Sequence, residues 1–408
     1  MELQKGKVND FNIVHVKKTS PIAFLLFLVK NGSRMENDKN AGISHFVEHM
    51  MFKQTETRTT KQIATEIETM GGDTNAFTSF DHTGYYIKVL KENFDPAFEI
   101  LSDILQNGTF AEEDIEIEKG NIIEEIKMYE DSPMDYISDL SFANAFPDSN
   151  LGRMIIGTEE NVKSFTRDDL VNFVQSNYLQ EDFLIVSVGD FDISATEKNV
   201  KKYLRPRKKG VLTIEPTQFN PKEKVSFLKK GEANQAHVFI SFPGVATTDK
   251  NLYKYSVLEE VLGEGSGSIL FDLLREQLGV AYYVGVEHSD FTDTGIFQIY
   301  FGANNNKTKL TLDKIFEQLE KLKTTLITPE ELKRAHNHYY SSLAMHHESL
   351  SFLGQKYGAE TLLEGKTESL EEAKEKIYAV TAEDLMEVAK VIFTDNYNIS
   401  YIADKKII

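Results

Sequence analysis

Two stretches of the chain run through the same succession of elements. The first, TGYYIKVLKENFDPAFEILSDILQNGTFAEEDIEIEKGNIIEEI from Thr83, reads strand, loop, helix, turn, long helix. The second, TGIFQIYFGANNNKTKLTLDKIFEQLEKLKTTLITPEELKRAHNHYYSSL from Thr294, reads the same. Alternation with β-branched and aromatic residues marks GYYIKVL and GIFQIYF as strands, and apolar spacing marks FEILSDIL and LDKIFEQL as helices. Each half then closes on a helical stretch and a strand, FLIVSVG in one and YNISYIA in the other. A duplication of this kind restricts the fold to a unit that is stable in two copies. The expected class is α+β: two homologous domains, each a mostly antiparallel sheet with helices packed on one face.

Between the copies, RPRKKGVLTIEPTQFNPKEK over residues 205–224 carries Pro206, Gly210, Pro216 and Pro221, which interrupt any helical or strand period. We therefore expect a first domain over residues 1–208, a linker over 209–224 and a second copy over 225–408. The length of 408 residues, 41% of them apolar, is ample for such cores. The longest apolar run, IAFLLFLV from Ile22 to Val29, falls well short of the ~20 residues that span a bilayer and reads as a buried strand.

The copies differ where chemistry would sit. Ahead of its strand the first has ISHFVEHMMFK, whereas the second has YSVLEEVLGEGSGSILF, without a histidine. On a helix, positions i, i+3 and i+4 share a face, so His45, Glu48 and His49 project to one side while Ile43, Phe46, Val47, Met50 and Met51 anchor the rest in the core. The chain has no cysteine, so any metal must be held by nitrogen and oxygen. Two imidazoles at i and i+4 suit zinc, which in catalytic sites takes three protein ligands. Glu48 is then placed to take a proton from water. A third ligand is best supplied by EEDIEIEKGNIIEEIKMYEDS, where Glu118 and Glu125 lie nearly two helical turns apart on one face; spacing alone leaves Glu124 and Glu125 both open. His336/His338 and His346/His347 have spacings that do not share a helix face and read as surface or local hydrogen-bonding residues.

The formal charge of −19 argues against a nucleic-acid partner, since phosphate binding needs an excess of Lys and Arg. The N-terminal MELQKGKVNDFNIVHVKK lacks the pattern of a signal peptide, so a cytoplasmic protein with no membrane partner is expected.

At this point the sequence resembles a family, the inverzincin zinc metallopeptidases of the pitrilysin, insulinase and mitochondrial processing peptidase type, and looks like a bacterial processing-peptidase-like member. H-x-x-E-H is their signature, and GSRMENDKNAGISHFVEHMMFK, GGDTNAFTSFDHTGYYIKVL and EKGNIIEEIKMYEDSP all resemble it. The resemblance implies one zinc per chain on His45, His49 and Glu125, with Glu118 as a supporting carboxylate. It implies that Asn75, Ala76 and Phe77 belong to an edge strand that meets an extended peptide by strand addition. Arg275 and Tyr282, in REQLGVAYY, resemble the family's pair that contacts the scissile carbonyl or the adjoining peptide. In one respect the chain departs from the pattern: GEGSGSILF has Ile269 where the family commonly has an arginine.

The implied activity is hydrolysis of short or unfolded peptides by a zinc endopeptidase. The family encloses substrate in a chamber of four such domains, so this chain would form half of a clamshell, completed by a second copy or a homologous subunit. The rival is a non-catalytic peptide-binding or structural subunit of the same fold. Such subunits typically lose part of the constellation, and here every member is present.

Overall fold

The computed structural model describes residues 1–230 and 235–408. It divides into two compact units, neither of them continuous in sequence. The first comprises residues 1–127, 153–215 and 346–368, and the second residues 128–152, 216–345 and 369–408.

The sheet of the first unit contains β1 (Glu2–Val8), β2 (Phe11–Lys17), β3 (Ile22–Val29), β4 (Asp73–Thr78), β5 (Thr83–Leu90) and β6 (Phe183–Gly189), in the order β1-β2-β6-β3-β5-β4. All neighbours are antiparallel except β2 and β6. The second sheet contains β7 (Val225–Lys229), β8 (Gln235–Pro243), β9 (Ala281–Asp290), β10 (Gly295–Asn304) and β11 (Asn398–Ala403), in the order β7-β11-β8-β10-β9. Without β1, the two orders superimpose strand for strand, including the single parallel pair, β2/β6 matching β7/β11. The duplication read from Thr83 and Thr294 is thus a duplication of topology, with β5 and β10 as equivalents. Residues 204–224 contain neither helix nor strand.

IAFLLFLV forms β3 as an unbroken apolar run because both faces of its sheet are covered. Leu25, Phe27 and Val29 enter a core shared with α1 (Ile43–Met51), α2 (Thr60–Thr69), α3 (Phe94–Asn107) and α4 (Glu112–Asp131). Phe24, Leu26 and Leu28 enter a second cluster with Leu353 and Tyr357. Those two residues belong to the helix Leu350–Ala359, which comes from the far end of the sequence yet packs on β3 and β6. Conversely α5 (Pro133–Ala145), from the first half of the sequence, packs on β8 and β11, where Ile137 meets Phe239 and Ile402. Each sheet therefore has its main helical layer on one face, as expected, and one helix from the other half of the chain on the opposite face.

The helix Leu350–Ala359 approaches closely because it presents glycine. A Cβ on Gly354 would lie 2.4 Å from the Phe24 ring, and one on Gly358 2.5 Å from Leu28. Helix propensity alone would favour Gly354→Ala by about 1 kcal/mol, whereas overpacking a filled core costs about 1–3 kcal/mol. We expect Gly354→Ala to lower the urea midpoint of unfolding; an unchanged or raised midpoint would mean that the Phe24 ring yields freely.

Candidate metal centre and edge strand

Helix α1 begins at Gly42, whose φ of 95° is left-handed. A carboxylate takes up the N–H groups there: Glu36, itself buried, accepts from Gly42 N and Ser44 N, each at 2.8 Å. Burial pushes the Glu36 carboxyl up to about 7 against the pull of those donors. Ile43, Phe46, Val47, Met50 and Met51 are buried, which turns His45, Glu48 and His49 together out of the core.

The second wall is α4, where Ile115, Glu118, Ile122 and Ile126 face inward. Glu125 reaches the imidazoles, with Oε2 at 3.6 Å from His49 Nε2 and 3.9 Å from His45 Nε2. Glu124 points away, 74% exposed and paired with Lys127, so the helix face decides between two carboxylates that spacing left open. A tetrahedral ion with bonds of ~2.0–2.1 Å sets its ligand atoms roughly 3.4 Å apart. The three ligand atoms lie within 4.8 Å of one another, a donor set that fits zinc.

The surroundings of the two imidazoles agree with this fit. His49 Nδ1 lies 2.9 Å from Glu118 Oε2, so the proton on Nδ1 goes to the carboxylate and the Nε2 lone pair is left for the metal. Burial opposes charging His49, but Glu118 outweighs it and holds the imidazole above its ordinary value. Burial and the neighbouring His49 push His45 down to about 3, keeping it neutral. Glu118 is driven the other way: burial would raise it, yet the hydrogen bonds from His49 and Lys53 hold it at about 2. Lys53 Nζ sits 2.6 Å from its other oxygen, and Asn121 donates to that same oxygen at 2.9 Å.

Glu48 stands beside this cluster and is not among its ligands. Burial raises its pKa, against the hydrogen bond from Thr78 and the charge of His49. Thr78 Oγ1 donates to Glu48 Oε2 at 2.6 Å, and among the described residues Oε1 receives no hydrogen bond. Thr78 ends β4, the outermost strand of its sheet. Phe77 lies over Gly84, where a Cβ would fall 2.4 Å from its ring. On the edge itself, the Ala76 N–H is taken up by its neighbour's side chain, Asn75 Oδ1, at 2.9 Å. A cavity of about 330 Å³ opens between β4 and α2, with Phe52, Ile63, Ala64, Ile67 and Ala76 lining it next to Glu48 and His49.

Arg275 and Tyr282 belong to the second unit. The Arg275 guanidinium lies 4.9 Å from the Phe271 ring, and Tyr282, 53% exposed, stands near the start of β9, the equivalent of β4. The remaining histidines need one correction. His338 is at the surface, its Nδ1 2.7 Å from Glu260, which is distant in sequence, but His336 and His347 are buried rather than at the surface. His336 sits on the inward side of its helix and His347 in the turn that follows it, placements that pair spacing does not reveal. Sequence reasoning also missed Thr78, Lys53 and the apolar lining of the cavity. Only Thr78 left a signal, standing two residues from Ala76 and hence on the same strand face.

Two imidazoles from one helix, a carboxylate from a second and an uncoordinated glutamate between them define a zinc metallopeptidase. The chain belongs to the M16 family of peptidases: residues 13–159 match the family described as Insulinase (Peptidase family M16), and residues 164–339 match the Peptidase M16 inactive domain. It is 36% identical to the zinc protease YmxG of Bacillus subtilis (strain 168), over 92% of this chain and 91% of that protein. It is also 31% identical to a probable mitochondrial-processing peptidase subunit beta of Arabidopsis thaliana, over 91% of this chain and 72% of that one. The fold matches a crystal structure of a protease from Helicobacter pylori with a TM-score of 0.91 at 22% identity, covering 98% of this chain and 99% of that one. No described helix is long and apolar enough to cross a membrane.

Substituting Glu125→Gln should weaken zinc binding far more than Glu124→Gln, measured by competition with a chromogenic chelator. Removing the Glu118 carboxylate, which holds His49, should cost about 10–100-fold in affinity. If Glu124→Gln proves the more damaging change, the face of α4 has been misassigned.

Proposed function

We propose that the protein is a zinc-dependent endopeptidase that hydrolyses short or unfolded peptides, with His45, His49 and Glu125 as the ligands of one zinc per chain. The observation that carries this reading is Glu48 beside the ligand cluster with one oxygen fixed and the other unengaged. Zinc held by these residues supplies a Lewis acid, which polarises a carbonyl and acidifies water. Glu48 accepts the water proton at Oε1 and passes it to the leaving amine.

Substrate adds to β4 as a further strand, displacing the Asn75 side chain from the Ala76 N–H and pairing with the backbone of Asn75, Ala76 and Phe77. The absence of a large side chain at Ala76 lets the two backbones approach. A substrate residue next to the scissile bond then places an apolar side chain in the cavity lined by Phe52, Ile63, Ala64 and Ile67. Tyr282, positioned with the help of Arg275, donates to the oxyanion.

The site is complete in a dimer, homomeric or formed with a homologous subunit, whose four domains close a chamber around the peptide. Arg275 and Tyr282 then serve the zinc of the opposite subunit. A chamber of this kind admits peptides and excludes folded proteins.

Glu48→Gln should keep its zinc and lose about 10²–10⁴-fold in rate on a quenched peptide library; zinc lost together with activity would make Glu48 a ligand instead. Mixing a Glu48→Gln chain with a Tyr282→Phe chain, each nearly inactive alone, should restore activity, because each mixed dimer carries one intact composite site. Mixed dimers that form and stay inactive, or monomers that are fully active, would reject the shared site.

A further inference from the structure

The hydrogen bond from Thr78 to Glu48 joins the substrate strand to the group that handles the proton. Its geometry is set from behind. After Thr78 the chain turns tightly through residues 79–82, with Ser79 N bonded to His82 O at 2.9 Å and Ser79 Oγ donating to the same carbonyl at 2.8 Å. Residues 33 and 34 hold that turn, Ser33 N to Ser79 O at 3.1 Å and Arg34 N to Phe80 O at 3.0 Å. A buried ion pair, Arg34 to Asp81 at 3.0 Å with side chains 1% and 7% exposed, closes it. The Thr78 hydroxyl is therefore placed by the core of the unit, independently of any peptide on the edge.

A carboxylate that must take a proton with one oxygen needs the other held, since free rotation about its terminal torsion spreads it over geometries that miss the water. Among the described residues Thr78 is the one hydrogen-bond donor to Glu48. We propose that Thr78 is a positioning residue for Glu48: its hydroxyl fixes Oε2 so that Oε1 faces the reacting water, and it orients the base from the same strand on which the peptide lies. The inference rests on the reading of Glu48 as the proton acceptor.

The test compares Thr78→Val, which keeps the shape and β-branching and loses the donor, with Thr78→Ser, which keeps the donor. In Thr78→Val kcat should fall about ten-fold, with KM and zinc content within about two-fold of the parent. Thr78→Ser should restore most of kcat. Added to Glu48→Gln, Thr78→Val should change the residual rate by less than about two-fold, because two residues acting through one group are not additive. Should Thr78→Val fail to fold, as judged by circular dichroism, Thr78→Ala carries the same expectations. An unchanged kcat in the donor-less variant overturns the inference, as does a loss confined to KM or to zinc, or a Thr78→Ser variant as slow as Thr78→Val. An active Glu48→Gln enzyme would instead remove the reading of Glu48 itself, a separate failure visible in the parent background.

Discussion

The hydrogen bond between His49 Nδ1 and Glu118 Oε2 ties together everything the metal centre needs. It fixes which nitrogen of His49 carries the proton, and so which one can offer a lone pair. It also joins α1 to α4, whose Glu125, nearly two turns further along, faces the same imidazoles. The pair is strong because Glu118 is held ionised by Lys53 and by His49 itself in a pocket where its side chain is only 4% exposed. A buried carboxylate without such donors would neutralise and release the imidazole.

The same helix must both sit in a core and present polar chemistry, and the structure resolves the conflict by division of faces. Phe46, Val47 and Met50 bury one side of α1, while its first turn is satisfied from outside by Glu36. Without that carboxylate the leading N–H groups of α1 would be buried with no acceptor, at a cost of about 1–3 kcal/mol each. The helix therefore enters the site with a fixed origin as well as a fixed face, and the angular positions of His45, Glu48 and His49 follow from both.

Local pattern made much of this legible. H-x-x-E-H needs only the helical period to bring its three side chains together, and the strands at Thr83 and Thr294 declare themselves by alternation. Where the pattern ran out, the missing information was long-range. Glu124 and Glu125 differ only in which way α4 is rotated, and that rotation is set by Ile115, Ile122 and Ile126 against the core. Alternation puts Thr78 on the strand face of Ala76, but a hydroxyl says nothing about which carboxylate it will meet. An amphipathic helix likewise announces an apolar face without naming the sheet that will cover it, which is why the placements of α5 and of Leu350–Ala359 went unread.

Those two placements bear on how the protein is made. Phe24, Leu26 and Leu28 are synthesised long before Leu353 and Tyr357, their partners in the second cluster. During translation that apolar face of the first sheet lacks its cover until the helix Leu350–Ala359 has been made. Multidomain chains ordinarily complete their N-terminal unit first, and here that order is unavailable. The nascent chain must carry an uncovered β-sheet surface over the long interval between β3 and that helix, which makes it a natural client for chaperones that shield exposed strands.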